Sequence, residues 1–368
     1  MPGVVKILIA LSGGVDSAAA AALLVQQGHD VTAAYMKNWV NDEGIPGECP
    51  WEQDIDDALG VCRVLGIELR VIDLIAQYRQ RIVNYLLEGY RHGATPNPDV
   101  LCNREMKFGV LLDYALEHGF EAVATGHYTR RLDVPDEGSY VLRGADSNKD
   151  QSYFLALMHA HQVARALFPV GHITKPEVRA LAERFRLPNA HKKDSQGICF
   201  IGKVKMSDFL RHFIPDNPGD IVDTAGRVLG RHDGLHLFTM GQRKGHHVAS
   251  PREGVAYVVV GKDLKRNRLI LGYEGDDALY ASHAVVGGIA NARMPLPERV
   301  LAQPRYRAPA VPALCRHLAP DRVELLFDSP VRALAPGQVC AFYSALHPDR
   351  LLAGGFFEEI SGAVPNEA

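Results

Sequence analysis

The chain has 368 residues, 47% of them hydrophobic and 23% charged, with a formal net charge of -3. That length and composition can bury a large core, spread over two or three domains, and the near-neutral balance means that any nucleic-acid partner has to be held by local patches. No run reaches the eighteen or so apolar residues of a membrane helix, and the opening MPGVVKILIA enters a strand without a signal-peptide layout, so a cytoplasmic protein is expected. Six scattered cysteines without a C-x-x-C pair argue against a disulfide scaffold, a zinc ribbon or an iron–sulfur site, and favour a reactive thiol.

In chain order, short buried strands are expected at 4–11 (VVKILIAL), 31–36, 67–74 and 121–125, with helical patterns at 16–27, 52–65 and 104–118, and a further helix at 175–186. Such alternation predicts a parallel sheet covered on both faces. Between the first strand and its helix runs Ala10-Leu11-Ser12-Gly13-Gly14-Val15-Asp16-Ser17. A strand that ends in Ser-Gly-Gly and opens a helix presents backbone N–H groups at the carboxyl edge of a parallel sheet, where anions bind, and the two serines add hydroxyl donors. The plainer reading is a strand–turn–helix with a Ser or Asp cap. It is not a Walker A loop, and the near miss GICFIGKV at 197–204 has Val204 where a magnesium-binding hydroxyl is required. Residues 41–54 read as a loop.

From about 207 to 275 the Gly-rich, mixed text suits a small β-containing module. Strands then follow near 284–289, 298–304, 322–327, 338–343 and 351–357, and this spacing predicts a small all-β barrel or sandwich. The run KDLKRNR at 262–268 is either a phosphate-binding patch or a solvated turn. His246-His247, without partners at ligand spacing, read as surface or RNA-facing residues rather than metal ligands.

ALSGGVDS at 10–17 resembles the PP-loop signature of ATP pyrophosphatases, which adenylate an oxygen and release pyrophosphate. TPNPDVLCNREMKFG (95–109), ATGHY (124–128), LRGADSNKDQSYFL (142–155), LFPVG (167–171), KKDSQGICFIG (192–202), GQRKG (241–245) and RYR (305–307) together resemble the tRNA-specific 2-thiouridylase family, over nearly the whole chain and in the same order. The resemblance implies an α/β fold. Its parts are an adenine-nucleotide α-hydrolase-like PP-loop domain over 1–206, a central adaptor over 207–278 and a C-terminal β-barrel over 279–368. After GQRKG the family pattern is replaced here by His246-His247-Val248, which puts the adaptor's contacts in doubt and leaves the chemistry untouched.

The implied reaction is ATP-dependent 2-thiolation of the wobble uridine in the anticodon loop of tRNA. The 10–17 loop, Met36 just past the second strand and Gly126 in the turn after a later one would hold ATP, with Mg2+ accompanying it. Cys199 would carry a persulfide received from a donor protein, Cys102 would resolve it, and Asp99 would act as general acid or base at the uracil ring. Either the persulfide attacks carbon 2 directly, or Cys102 first liberates hydrosulfide. Lys192 and Lys193 would lower the Cys199 pKa or form a plain charge run, and Asp194 would support the persulfide loop. Asn97, Pro98 and Asp99 would meet the target base, while Lys149, Asp150, Gln151, Arg305 and Tyr306 would touch the tRNA. An amide-forming PP-loop ligase would share 10–17 without needing the two cysteine blocks. A non-catalytic nucleotide-binding regulator would need neither cysteine.

Overall fold

The computed structural model describes residues 3–41, 44–45, 51–193, 204–290 and 295–362. The described residues form two compact units. One holds the chain up to Asn84, Pro98–Lys205 and His347–Ala353; the other holds Tyr85–Asn97, Met206–Leu346 and the residues from Gly354 on.

The first unit is built on strands β1 (Lys6–Ala10), β2 (Asp30–Lys37), β3 (Leu69–Asp73), β4 (Ala122–Ala124) and β7 (Ala166–Leu167), in the order β3-β2-β1-β4-β7. All four pairings are parallel, as the strand–helix alternation requires. Central β1 has Ile7, Leu8 and Ile9 fully buried, which is why it reads as an unbroken apolar run. Helix α1 (Val15–Gln26) owes its five consecutive alanines to close packing: Ala18 to Ala22 are all sealed from solvent. They share one core with Ala58, Val61 and Cys62 of α2 (Trp51–Leu65) and with Val178 and Ala182 of α4 (Lys175–Arg184). Helix α3 (Pro98–Cys102) lies between them in the chain.

The pattern at 104–118 forms a π-helical segment, Asn103–Val110, followed by an α-helical one, Leu111–Glu117. The helix expected to run to 186 stops at Arg184, two residues before Arg186 takes φ +54°. The helix expected at 52–65 begins at Trp51, so the loop read over 41–54 gives way to the first turn of α2 at 51–54. The hairpin β5 (Thr129–Val134) and β6 (Gly138–Arg143) was not foreseen, because its strands carry three arginines and little alternation. Arg350 and Leu351, which open the last strand of the chain, pair with Leu142 and Val141 of this hairpin.

In the second unit, α5 (Met206–Phe213) precedes a four-stranded sheet of β8 (Gly219–Asp223), β9 (Val228–His232), β10 (Val258–Asp263) and β11 (Arg268–Gly272), in the order β10-β11-β8-β9. The later strands are β12 (Tyr280–Ala290), β13 (Arg299–Gln303), β14 (Val311–Ala319), β15 (Arg322–Arg332), β16 (Val339–Ser344) and β17 (Arg350–Ser361). They run β12-β15-β14-β13-β16-β17, and β12 pairs back onto β17, which closes a six-stranded barrel. Strand β14 was missed at the sequence level. It opens Val-Pro-Ala, and only Ala313 and Cys315 point inward, so its apolar signal is short.

Strand β16 is buried along its whole length, and Phe342 is fully sealed. Phe342→Ala is expected to destabilise the protein by about 3–5 kcal/mol, measured as a lowered midpoint in urea unfolding.

Candidate active site

Strand β1 ends in Ala10 and Leu11, and the chain turns through Ser12, Gly13 and Gly14 into α1. Gly13 takes φ +71°, and a Cβ there would stand 2.7 Å from the Asp54 carbonyl oxygen at the start of α2, so the turn admits only glycine. The Ser17 hydroxyl accepts the Ser12 N–H at 3.2 Å and donates to the Gly14 carbonyl at 3.1 Å, which cross-braces the loop. Asn189 Nδ2 donates to the Gly13 carbonyl at 3.0 Å from the segment after α4. The N-cap is Gly14, and no side chain caps the helix. The plainer reading of a Ser or Asp cap does not hold: Asp16 and Ser17 lie inside the first turn. The leading N–H groups of α1 thus carry no side-chain cap, and the helix dipole makes such a start electrostatically suited to an anion.

Asp16, a carboxylate at this helix start, is held by two donors. Its Oδ1 accepts Lys175 Nζ at 2.6 Å and the Tyr128 hydroxyl at 2.7 Å. Gly126 packs directly under the loop, where a Cβ would meet Ser17 N at 2.5 Å and the Asp16 carbonyl carbon at 2.7 Å. Met36 lies within the last turn of the pleat of β2, paired with Ile72 of β3, rather than past the strand, and it is half-buried.

The second motif sits on α3. Asp99 is half-buried in the first turn and Cys102 is buried at the end, 3% exposed. Three residues apart on a helix, the two side chains are neighbours on one face. Asn103 Nδ2 donates to the carbonyl oxygens of Asp99 and Phe154, both at 3.1 Å. Phe154 follows the turn carrying Lys149, Asp150 and Gln151, and Gln151 in turn exchanges two bonds with Tyr128, through its Oε1 to the Tyr128 N–H and its own N–H to the Tyr128 carbonyl, each at 3.0 Å. Hydrogen bonds thus run from Asp16 through Tyr128, Gln151 and Asn103 to the Asp99–Cys102 helix. Three blocks distant in sequence share one frame.

Cys199 and Asp194 lie outside the described residues. Lys192 Nζ donates to Asp54 Oδ1 at 2.8 Å and Asp57 Oδ2 at 2.6 Å. Burial alone would lower its pKa, but those two carboxylates raise it, so it serves to join the segment after α4 to α2.

Asp150 accepts from Gly144 N, Ser152 N, Ser152 Oγ and Arg143 Nη1, all within 3.1 Å, and so shapes the turn that carries Lys149. Asn97, in the other unit, is half-buried and Pro98 is buried. Arg305 is exposed in the turn between β13 and β14, beside Tyr306, whose ring lies 5.3 Å under the Arg307 guanidinium. One expectation in this unit changes, and of the two readings of the 262–268 run the solvated turn is the one its exposed residues 264–266 favour. His246 is buried, with Nδ1 accepting the Val248 N–H, and only His247 is exposed. In the 262–268 run, Lys262 is turned inward to the Gly93 carbonyl, burial pushes its pKa down to about 8, and Arg266 pairs with Asp263.

Residues 5–203 match the family model described as tRNA methyl transferase HUP domain. Residues 207–273 match its PRC-barrel domain, and 278–357 match a model described as aminomethyltransferase beta-barrel domain. A relative in Akkermansia muciniphila named tRNA-specific 2-thiouridylase MnmA is 72% identical over 96% of this chain and 99% of its own length. The chain belongs to this family. Relatives of the same name in Pseudomonas paraeruginosa and Proteus mirabilis are each 44% identical, over 96% of this chain and 94% and 97% of their own. Among the described residues no helix is long and apolar enough to cross a membrane, and no cluster of metal-binding side chains occurs.

Sequence reasoning passed over Tyr128, Lys175 and Asn189, although ATGHY was singled out as a block. Lys175 did leave a signal: a cation at the first position of a helix opposes the helix dipole.

Beside Tyr128, His127 is buried between Phe108 and Phe168, and its Nδ1 lies 2.7 Å from Thr125 Oγ1. Burial, with help from Lys107, holds its pKa well below the usual value. The unfolded chain therefore takes up the proton first, and stability present above about pH 6.5 is lost as the pH falls, by up to about 1.4 kcal/mol per pH unit. His127→Asn is expected to flatten the decline in denaturant stability between about pH 7 and about pH 5 by up to one proton.

Proposed function

We propose that this chain catalyses ATP-dependent 2-thiolation of the wobble uridine of tRNA. The observation that carries the reading is the shared frame: an uncapped, glycine-built anion loop and a helix bearing Asp99 and Cys102 are joined through Tyr128 and Gln151. A plain amide ligase has no use for that helix.

The oxygen on carbon 2 of uracil is amide-like and does not leave as hydroxide. Its attack on the α-phosphorus of ATP expels pyrophosphate and turns the oxygen into part of AMP, a good leaving group. The N–H groups opening α1 and the exposed Ser12 hydroxyl would meet the charge that develops on the phosphates, while the Ser17 hydroxyl is spent on bracing the loop, and Mg2+ would accompany the nucleotide there. Gly126 and Met36 would border the nucleotide. Asp99 would move the ring proton. Sulfur then bonds to carbon 2 and AMP departs. A Cys199 persulfide would supply that sulfur, and attack by the Cys102 thiolate on the inner sulfur would leave a Cys102–Cys199 disulfide, whether the outer sulfur has already bonded to carbon 2 or leaves first as hydrosulfide. Asn97, Pro98 and Asp99 would receive the flipped base. Lys149, held by the turn that Asp150 and Gln151 shape, would contact the tRNA together with Arg305 and Tyr306.

Purified protein incubated with ATP, magnesium, a persulfide donor and unmodified tRNA is expected to form 2-thiouridine, detected by mass spectrometry of the digested nucleosides. Cys102→Ser and Cys199→Ser should abolish the product while leaving pyrophosphate release in place. Absence of any thionucleoside with the wild-type protein, alongside steady pyrophosphate release, would overturn the substrate reading and return the chain to the ligases.

Arg305→Ala and Tyr306→Ala should each weaken tRNA binding by about 1–3 kcal/mol, measured by filter binding, with ATP binding unchanged.

A further inference from the structure

Lys175 is placed against two local rules. It occupies the first position of α4, where the dipole disfavours a cation, and its side chain is 11% exposed, where an ammonium loses most of its hydration. The structure holds it there deliberately. Its backbone N–H donates to Asp146 Oδ2 at 3.0 Å, in the segment that leads to Lys149, and the Thr174–Glu177 capping box fixes the start of the helix. Its Nζ then reaches across to Asp16 Oδ1 at 2.6 Å, where Tyr128 OH also donates.

Asp16 explains the arrangement. Its carboxylate belongs to the first turn of α1 and is about a third exposed, at the helix start that the proposed function gives to the phosphates. Left bare, it would repel the several negative charges of a triphosphate. From this geometry we infer that Lys175 is a positioning residue for the nucleotide: with Tyr128 it neutralises Asp16 and holds it, so that the loop offers the phosphates donors without an opposing charge. This rests on the reading of 10–17 as an ATP loop and adds a residue to it.

The test is direct ATP binding by calorimetry with the full-length chain in the presence of magnesium, with ATP-dependence of pyrophosphate release alongside. Binding by the wild-type protein is the control for the underlying reading; if the wild type fails to bind ATP, that reading falls, not this inference alone. Given that control, Lys175→Met is expected to raise the Kd and KM for ATP at least tenfold while changing kcat at saturating ATP less than threefold. Lys175→Arg, which keeps the charge and guards against a folding defect, should stay within threefold of wild type. In an Asp16→Asn background, Lys175→Met should lose no more than threefold, since no carboxylate is left to neutralise. The inference is overturned if Lys175→Met binds ATP like the wild type, if Lys175→Arg is as weak as Lys175→Met, or if Asp16→Asn abolishes binding by itself. A further tenfold loss in the double variant relative to Asp16→Asn would also overturn it, because Lys175 would then act on the nucleotide without Asp16.

Discussion

The Tyr128 side chain and backbone together fix the geometry of the candidate site. Its hydroxyl is bonded to Asp16 in the anion loop, and its backbone N–H and carbonyl are both taken by Gln151, whose turn leads through Phe154 to Asn103 and the Asp99–Cys102 helix. A flexible loop and a short helix gain one common reference point. Chemistry that first activates an oxygen at one element and then delivers sulfur beside another needs that fixed separation.

The parallel sheet makes the arrangement available. With β1 and β4 paired side by side, the chain leaving β1 enters the loop and the chain leaving β4 enters Gly126 and Tyr128, so both arrive at the same carboxyl edge. Gly126 lets the second approach the first, since any side chain would displace the backbone at Asp16 and Ser17. The alanines of α1 do the same on the other side, letting α2 and α4 bring Asp54, Lys175 and Asn189 within reach.

The sheet, its principal helices and the 10–17 loop were legible because they rest on local signals: apolar strands, helical periodicity, and glycine where only glycine fits. The barrel was legible in outline, but β14 was lost because a strand with two inward residues has almost no alternation to read. The hairpin β5–β6 is polar for the same reason that it was missed. Cys102 and Asp99 stood out through their block. Tyr128, Lys175 and Asn189 did not, because their significance is a partner more than a hundred positions away, which no local pattern encodes. Lys192 shows the same limit: its sequence neighbourhood left an aid to Cys199 and a plain charge run both open, and its partners, the α2 carboxylates, lie more than a hundred positions away.

The central claim is that the loop activates the oxygen on carbon 2 of the target uridine by adenylation. Its most direct test is to follow that oxygen. Transfer RNA carrying a heavy-oxygen label at carbon 2 of the wobble uridine would be thiolated in ordinary water, and the AMP released would be analysed by mass spectrometry. The account predicts that the label is recovered in AMP, one atom for each 2-thiouridine formed. Label found in water or inorganic phosphate, with unlabelled AMP, would contradict it.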